Sequence, residues 1–265
     1  MNNFPSIFTT AFLSFLFTYP TIIWAKKVNL VTDKKKRKHP AHTHIGIIPR
    51  GGGLPIYLSF LISSLIFLPL NKIIFGILLS SFFLLIIGLL DDYFDLSPYF
   101  RFFANILISA LVVSFGLGIP YISNPFGGVM RLDQWKVNFD FFGYREVLII
   151  ADILAIIWLT WLTNMVNWSK GVDGQLPGFV AITAFFLGVL SQRFTAHDIS
   201  VKSTTTLAFI VAGVYLGFLP WNFYPQKIMP GYGGGGFSWF LAWDFIDFVF
   251  WKNRNGNLNS CHPND

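Results

Sequence analysis

The stretch that decides the fold is LIIADILAIIWLTWLT, residues 148–163, which runs directly into NMVNWSKGVDGQLPG, residues 164–178. The first part is apolar over most of the roughly 20 residues that a helix needs to cross a bilayer. The second part crowds two asparagines, a lysine, an aspartate and three glycines into one short segment. Because such groups are costly to bury in lipid and exceed what a simple turn needs, they predict a site at the end of a membrane helix.

The composition of the whole chain is typical of a membrane protein. Of its 265 residues, 54% are hydrophobic and only 12% are charged, whereas soluble domains carry about 25% charged residues. Several apolar stretches are long enough to cross a membrane, and a further one, residues 236–251, is weaker. The stronger stretches are roughly residues 6–25, 53–70, 72–90, 102–119, 146–163, 178–192 and 203–220. The sequence therefore predicts an all-α, multi-pass helical bundle with about seven or eight spans.

Two local features of the sequence bear on signal cleavage and on disulfide bonds. The first apolar stretch has neither a positive segment before it nor a small-residue cleavage site, so we interpret it as a retained helix. Cys261 is the only cysteine, which excludes a disulfide framework within one chain.

The net charge of +6 indicates membrane topology rather than nucleic-acid binding. Segment 26–50 holds 8 of the 19 Lys and Arg residues, and short loops with such an excess stay in the cytoplasm. Alternating spans then place loops 91–101, 164–178 and 221–236 on the same side. The longest external connection, about residues 120–145, has a partly alternating pattern that predicts a small hairpin. The basic run itself is either a topology anchor on anionic headgroups or, in part, a contact for substrate phosphate.

The acidic loop DDYFDLSP starts where a predicted span ends. On a continued helix, Asp91 and Asp95 would share a face, with Asp92 beside them. Two unit charges about 4 Å apart repel by about 4 kcal/mol at an effective dielectric constant near 20. Three carboxylates together therefore need open water, a shared proton or a cation such as Mg²⁺, which prefers oxygen ligands.

The opening segment allows both an ordinary and a functional interpretation. Asn164 and Asn167 share a helix face and could serve interhelical hydrogen bonding, and Asp173 with Gly174 is common turn chemistry. Glycines also let the backbone approach a phosphate or a sugar. Together with the acidic loop and PRGGG at 49–53 on the same predicted face, these residues favour a binding site.

At these residues the chain resembles the polyprenyl-phosphate N-acetylhexosamine-1-phosphate transferases. That family includes the phospho-MurNAc-pentapeptide translocase of peptidoglycan synthesis and the GlcNAc-1-phosphate transferases that start other envelope polysaccharides. The matching segments occur in family order, one per predicted cytoplasmic loop, and the resemblance covers about residues 1–236. They are PRGGGLPIYLSF (49–60), DDYFDLSP (91–98), NMVNWSKGVDGQLPG (164–178) and FLPWNFYPQKIMPG (218–231).

The resemblance implies a Mg²⁺-dependent reaction at the bacterial cytoplasmic (inner) membrane, in contact with membrane lipid. The phosphate of undecaprenyl phosphate would attack the β-phosphorus of a UDP-N-acetylhexosamine, releasing UMP and leaving a lipid-linked sugar diphosphate. This step belongs to cell-wall or envelope-polysaccharide biogenesis. The resemblance leaves room for a homodimer and implies no nucleic-acid partner.

The resemblance also assigns roles to individual residues by their place in the motifs. The residues with catalytic roles are Asp91, Asp92 and Asp173. The residues that would bind substrate are Arg50, Asp95, Asn167, Lys170 and Gly174. The residues that would ligate the metal are Asp92 and Asn164.

The chain departs from the family pattern at two of these positions. Lys170 stands where the family usually has aspartate, and GYGGG at 231–235 replaces a GDSGS-like run, so that Tyr232 stands in place of the chief metal-ligating aspartate. With a pKa of about 10, a tyrosine hydroxyl is a poor Mg²⁺ ligand at neutral pH. We therefore expect Asp91, Asp92 and Asn164 to carry more of the metal, or the activity to be altered or absent.

The end of the sequence differs from the family as well. We divide the chain into a membrane domain, residues 1–236, and an atypical tail, residues 237–265. Asp244 and Asp247 lie inside the weak last stretch, where an aspartate costs roughly 2.5–3.5 kcal/mol at mid-membrane. The tail reads as a truncated or frame-shifted end, which makes a catalytically impaired relative one alternative. A transporter is a weaker alternative, because most acidic residues gather at predicted helix ends rather than near mid-membrane.

Overall fold

Helices make up most of the regular structure in the computed structural model, which describes residues 4–33, 47–123, 129–132, 134–140, 144–192 and 199–237. The long helices are α1 Phe4–Lys27, α2 Gly53–Phe67, α3 Lys72–Phe94, α4 Pro98–Ser114, α5 Ile149–Trp168, α6 Gln175–Gln192 and α7 Ile199–Asn222. A 3₁₀ turn, Ser169–Gly171, follows α5, and a short helix α8 spans Gly231–Gly236. Most of the atypical tail, residues 238–265, lies outside the described residues, and so does nearly all of the weak stretch 236–251.

Each of the stronger apolar stretches in the sequence contains one helix, which confirms an all-α polytopic membrane fold. Among the residues that the structure describes, five helices are long and apolar enough to cross a membrane: α1, α3, the segment from α5 through the 3₁₀ turn, α6, and α7 from Lys202 onward. The helices α2 and α4 are shorter apolar helices of 15 and 17 residues. Large apolar side chains point outward along the bundle, such as Phe8 with 71% of its surface exposed, as expected of a lipid-facing surface.

Local sequence fixes several helix ends. Asn71 caps α3 by accepting a hydrogen bond from the Ile74 backbone N–H at 2.8 Å, and Ser97 caps α4, with proline as the first helical residue. Asp152 accepts a hydrogen bond at 3.1 Å from the Leu148 backbone N–H at the start of α5. This acidic residue inside an apolar helix therefore has a capping role, which fits a helix start.

Three antiparallel strand pairs lie in the described connections between the helices. They are β1 Val31–Asp33 with β2 Ile47–Pro49, β3 Tyr121–Ser123 with β4 Val129–Arg131, and β5 Lys136–Asp140 with β6 Tyr144–Leu148. The last pair confirms the hairpin that the alternating pattern in the long connection predicts. The β1–β2 hairpin forms within the basic segment, whose residues 34–46 lie outside the described residues.

Small residues let α1 and α7 pack with their backbones close together. A side chain at Gly213 would collide with the Ile7 carbonyl oxygen, and one at Gly217 with that of Ala11. Ser14 donates a hydrogen bond across the same interface to the Val214 carbonyl oxygen at 2.7 Å. Close packing at small residues and hydrogen bonds between helices are the usual means of holding membrane helices together.

The loops that carry the four sequence motifs meet at one end of the bundle, because successive helices run in opposite directions. The Gly52 N–H donates to the Met229 carbonyl oxygen at 3.0 Å, which joins the first and last motif loops. The Gly174 N–H donates to Asn222 Oδ1 at 3.0 Å, which joins the third loop to the end of α7. The predicted convergence of the polar loops on one face is therefore confirmed, whereas the side of the membrane stays a prediction.

That side can be tested by labelling single cysteines in a Cys261→Ser background. Tyr99→Cys and Val172→Cys lie at the motif end and Leu70→Cys at the opposite end, and all three positions are exposed. Because the basic segment predicts a cytoplasmic motif end, we expect an impermeant thiol reagent to label position 70, but not positions 99 and 172, in intact cells. Labelling of 99 and 172 from outside, with 70 protected, would reverse the topology.

Candidate active site

Two carboxylates are buried at the end of α3. Asp91 and Asp92 expose only 3% and 7% of their surfaces. The helix ends at Phe94, and Asp95 follows as its C-cap in the left-handed conformation, with φ 57°, on the surface. The predicted common helix face of Asp91 and Asp95 is therefore wrong, because the chain turns before a further helical turn can bring Asp95 into line. The buried acidic group is a pair rather than a triplet.

Arg101 neutralises one of the two buried carboxylates. Its Nη1 lies 3.2 Å from Asp91 Oδ2, and it stands in the first turn of α4. A buried carboxylate is costly unless a positive group or hydrogen bonds compensate for it. The other oxygen, Asp91 Oδ1, is buried and has no hydrogen-bond partner among the described residues. The sequence placed Arg101 in the same loop as the acidic pair but did not indicate this ion pair.

The short helix α8 holds the second carboxylate in place. The Tyr232 backbone N–H donates to Asp92 Oδ1 at 3.2 Å. Gly231 directly before it has φ +69°, and a Cβ at that position would collide with Asp92 Oδ2. Only glycine combines this backbone conformation with so close an approach, so GYGGG provides a backbone cradle for Asp92.

The Tyr232 side chain lies at the centre of the site. Only 2% of its surface is exposed, and its hydroxyl accepts a hydrogen bond from Asn105 Nδ2 at 2.8 Å. The Arg101 guanidinium carbon and Lys170 Nζ lie 5.5 and 5.4 Å from the ring centroid, within the range of cation–π attraction. Burial raises the pKa of the Tyr232 hydroxyl above its usual value, so the phenol stays neutral. The two departures from the family pattern, Lys170 and Tyr232, are therefore in contact.

The two predicted asparagines of α5 have different surroundings. Asn167 is buried, and its Oδ1 lies against Gly235, where a Cβ would collide with it. The same Oδ1 atom has no hydrogen-bond partner among the described residues. One turn earlier, Asn164 donates from Nδ2 to the Thr160 carbonyl oxygen at 2.7 Å, within its own helix. Asn167 thus faces α8 with a free acceptor, while the Asn164 amide nitrogen is bonded along α5.

The glycine-rich segment after β2 brings Arg50 close to the acidic pair. The Arg50 backbone N–H donates to the Leu30 carbonyl oxygen at 2.9 Å, and its guanidinium Nε donates to Thr32. The positive charges of Lys170 and Arg50 both act on the Asp92 carboxylate. The structure therefore places Arg50, which the resemblance assigns to substrate binding, near Asp92.

The third motif loop is held by an asparagine that the sequence analysis did not single out. Asn222 accepts from the Gly174 N–H and donates from Nδ2 to the Ile228 carbonyl oxygen at 2.9 Å. Gly174 has φ +74°, which glycine adopts without strain. Asp173 stands half-buried in the same turn, and the described contacts do not join its carboxylate to Asp91 or Asp92. The turn interpretation of Asp173 and Gly174 therefore accounts for the geometry.

The charges of the site suit a phosphate better than a bare divalent cation. Two buried carboxylates, Asp91 and Asp92, are accompanied by three positive side chains, Arg50, Arg101 and Lys170. Within the described residues, no three His, Cys, Asp or Glu side chains gather closely enough to hold a metal ion. The arrangement can bind an anion and hold a carboxylate beside it.

Comparisons with known proteins agree with the resemblance found in the motifs. The sequence model for glycosyl transferase family 4 matches residues 74–246. A probable undecaprenyl-phosphate N-acetylglucosaminyl 1-phosphate transferase of Bacillus subtilis is 27% identical over 210 residues, which cover 78% of this chain and 52% of the relative.

Other relatives show a similar degree of likeness. A decaprenyl-phosphate N-acetylglucosaminephosphotransferase of Mycobacterium tuberculosis is 28% identical over 242 residues, or 85% of this chain and 55% of the relative. A phospho-N-acetylmuramoyl-pentapeptide-transferase of Prochlorococcus marinus is 29% identical over 247 residues, or 87% of this chain and 64% of the relative. The chain thus spans about half the length of the first curated relatives that it matches.

Proposed function

Because the chain belongs to glycosyl transferase family 4, we propose that it transfers an N-acetylhexosamine 1-phosphate, or a similar sugar 1-phosphate, from a UDP-sugar to a polyprenyl phosphate. Undecaprenyl phosphate is the proposed acceptor and UMP the proposed leaving group. The names of the relatives support this reaction class, since they describe transferases of N-acetylglucosamine phosphate that use undecaprenyl or decaprenyl phosphate. The observation that carries the proposal is the cluster of buried carboxylates and positive side chains at one end of an apolar bundle.

The position of this cluster suits two substrates of opposite character. A polyprenyl chain is soluble in the bilayer, whereas a UDP-sugar is soluble in water, so their phosphates can meet only near the ends of membrane helices. Both reacting groups are anionic, and positive groups held in place before the reaction stabilise the charge that the transition state concentrates. Arg50, Arg101 and Lys170 supply such groups.

Within this proposal, Asp92 positions the acceptor phosphate or receives its proton. Asp91 is already paired with Arg101, whereas Asp92 is held by a neutral backbone N–H from Tyr232. General acid–base groups of this kind contribute about 10²–10⁴-fold to a rate. The roles of Asp95, Asp173, Asn164 and Gly174 stay predictions of the resemblance.

The magnesium ion that the resemblance implies stays a prediction, and the described donors do not fit a tightly held one. Asp91 Oδ1 and Asn167 Oδ1, which have no hydrogen-bond partner in the described part of the chain, are oxygens of a suitable kind, but three positive side chains surround the carboxylates. Tyr232, with its neutral hydroxyl bonded to Asn105, adds no charge to attract a cation. Location in the bacterial inner membrane, a role in cell-wall biogenesis and a homodimer are likewise part of the proposal.

A relative that binds these substrates without transferring phosphate is the second candidate. The observation that favours it is the contact between Lys170 and Tyr232, which replaces two expected carboxylates at the centre of the site. The two candidates differ in turnover and not in binding.

The test is UMP release by the purified full chain in detergent. If the proposal is right, UMP forms from UDP-N-acetylglucosamine only when undecaprenyl phosphate is present, since the acceptor phosphate is the nucleophile. Omission of the acceptor is the matched control. Binding of the UDP-sugar without UMP release would support the silent relative instead.

A further inference from the structure

Tyr232 forms a fixed platform for two cations. Its ring is buried and its hydroxyl is held by Asn105, so the ring has little freedom to move. Arg101 lies over the ring and pairs with Asp91, whereas Lys170 lies over the ring with no ion pair among the described residues. A ring face attracts an ammonium group without occupying its hydrogen-bond donors as a carboxylate would. Lys170 is therefore positioned and still able to donate to a ligand.

The surroundings of Lys170 leave places for such a ligand. Asn167 lies just before Lys170 and is buried. Among the residues that the structure describes, neither its Oδ1 nor the buried Asp91 Oδ1 has a hydrogen-bond partner. Buried polar atoms without partners are rare in folded proteins, and a bound molecule is one explanation for them. Oxygens of this kind can accept hydrogen bonds from the hydroxyl and amide groups of a sugar. The Lys170 ammonium group can donate to the phosphates attached to that sugar.

The balance of charge in the site favours an anionic ligand over a bare divalent cation. With Arg50, Arg101 and Lys170 around Asp91 and Asp92, basic side chains outnumber acidic ones in the site before any ligand binds. Such an excess attracts a diphosphate and repels a bare divalent cation. A lysine ammonium can itself bind phosphate as a point charge.

We propose that Lys170, positioned by the face of Tyr232, supplies together with Arg50 and Arg101 the charge that binds the diphosphate of the nucleotide sugar, so that this chain binds it without a divalent cation. The inference rests on the proposed function for the identity of the nucleotide sugar. Tyr232 acts here as a positioning residue, because it affects ligand binding by holding Lys170 in place. The ligand is then held by basic side chains of the protein rather than by a metal ion from solution.

The experiment is calorimetric titration of the purified full chain with UDP-N-acetylglucosamine, in excess EDTA and then with Mg²⁺. We expect Kd values that agree within about twofold, because the cations are built into the protein. Loss of binding in EDTA with recovery in Mg²⁺ would overturn the inference. This comparison uses the unaltered chain and so does not depend on how any variant folds.

Variants identify the groups responsible. In EDTA, Lys170→Met should weaken binding about tenfold, or ~1.4 kcal/mol, whereas Lys170→Arg should stay within about threefold. Tyr232→Leu, which removes the ring, should weaken binding about fivefold, and Tyr232→Phe, which keeps it, should restore binding to near the unaltered value. If Lys170→Met, shown to be folded by size-exclusion chromatography, binds as tightly as the unaltered chain, Lys170 does not hold the phosphates.

A second probe separates this inference from the proposed function. If UDP-N-acetylglucosamine binds under neither condition, inorganic pyrophosphate is titrated in EDTA. Pyrophosphate binding that weakens in Lys170→Met would support the built-in phosphate site and overturn the proposed donor. An absence of pyrophosphate binding as well would overturn the inference.

Discussion

Asp92→Asn is expected to lower UMP release by about 100-fold or more. Asparagine keeps the shape of the side chain, and its Oδ1 can still accept the hydrogen bond that the Tyr232 N–H donates to Asp92. What the substitution removes is the negative charge and the ability to take a proton. If Asp92 positions or deprotonates the acceptor phosphate, the transfer step should fail while the fold is retained.

The measurement is the rate of UMP formation in the presence of undecaprenyl phosphate, with Asp152→Asn as the matched control. Asp152 lies at the start of α5, at the end of the helix away from the motif loop, and its hydrogen bond from the Leu148 N–H can be accepted by asparagine as well, so its substitution should cost less than about tenfold. An Asp92→Asn enzyme that keeps most of its rate would show that the buried carboxylate is structural.

Gly88→Ala is expected to disturb both stability and activity, because it acts on the packing that holds the site. A Cβ at Gly88 would collide with the backbone of Gly233, and backbone atoms cannot turn aside as a flexible side chain can. Overpacking of this kind costs about 1–3 kcal/mol. Since α8 carries the N–H that holds Asp92, its displacement should also reduce UMP release, by about tenfold or more.

The same substitution at an open position is the control. A Cβ at Gly171 would meet nothing within 4 Å, so Gly171→Ala should leave the thermal unfolding temperature of the detergent-solubilised protein nearly unchanged. Gly88→Ala should lower that temperature clearly. Equal unfolding temperatures for the two variants would mean that α8 does not depend on the close contact with α3.

The helices and the family could be predicted from the sequence because both leave strong local signals. Apolar stretches of near-spanning length mark the helices, and four motifs in order mark the family. The alternation of spans then places the motif loops on one face, and the contact between Gly52 and Met229 confirms that they meet. None of these inferences requires knowledge of which side chains touch.

The contacts within the site could not be predicted, because they join residues far apart in the chain. Asn105 lies in the middle of an apolar helix and donates to Tyr232, 127 positions later. A lone asparagine in such a helix gives no signal of its partner. In the same way, the sequence marks Lys170 and Tyr232 as two separate departures from the family pattern, and only the fold shows that they touch.

The wrong prediction that Asp95 shares a helix face with Asp91 has a local cause. Spacing of four residues predicts a shared face only while the helix continues, and α3 ends at Phe94 because Asp95 adopts the left-handed conformation. Aspartate is one of the few residues that tolerate this conformation, and its spacing from Asp91 gives no sign that it caps the helix.

The central claim is the transfer of sugar together with its phosphate, and the position of one phosphorus atom tests it most directly. UDP-N-acetylglucosamine labelled with radioactive phosphorus at the β position is incubated with the full chain and undecaprenyl phosphate, and the lipid and aqueous phases are separated. The account predicts that the label enters the lipid phase with the sugar, while unlabelled UMP appears in water. Label that stays in the aqueous phase, either as UDP beside a lipid that carries sugar alone or in unreacted donor, would contradict it.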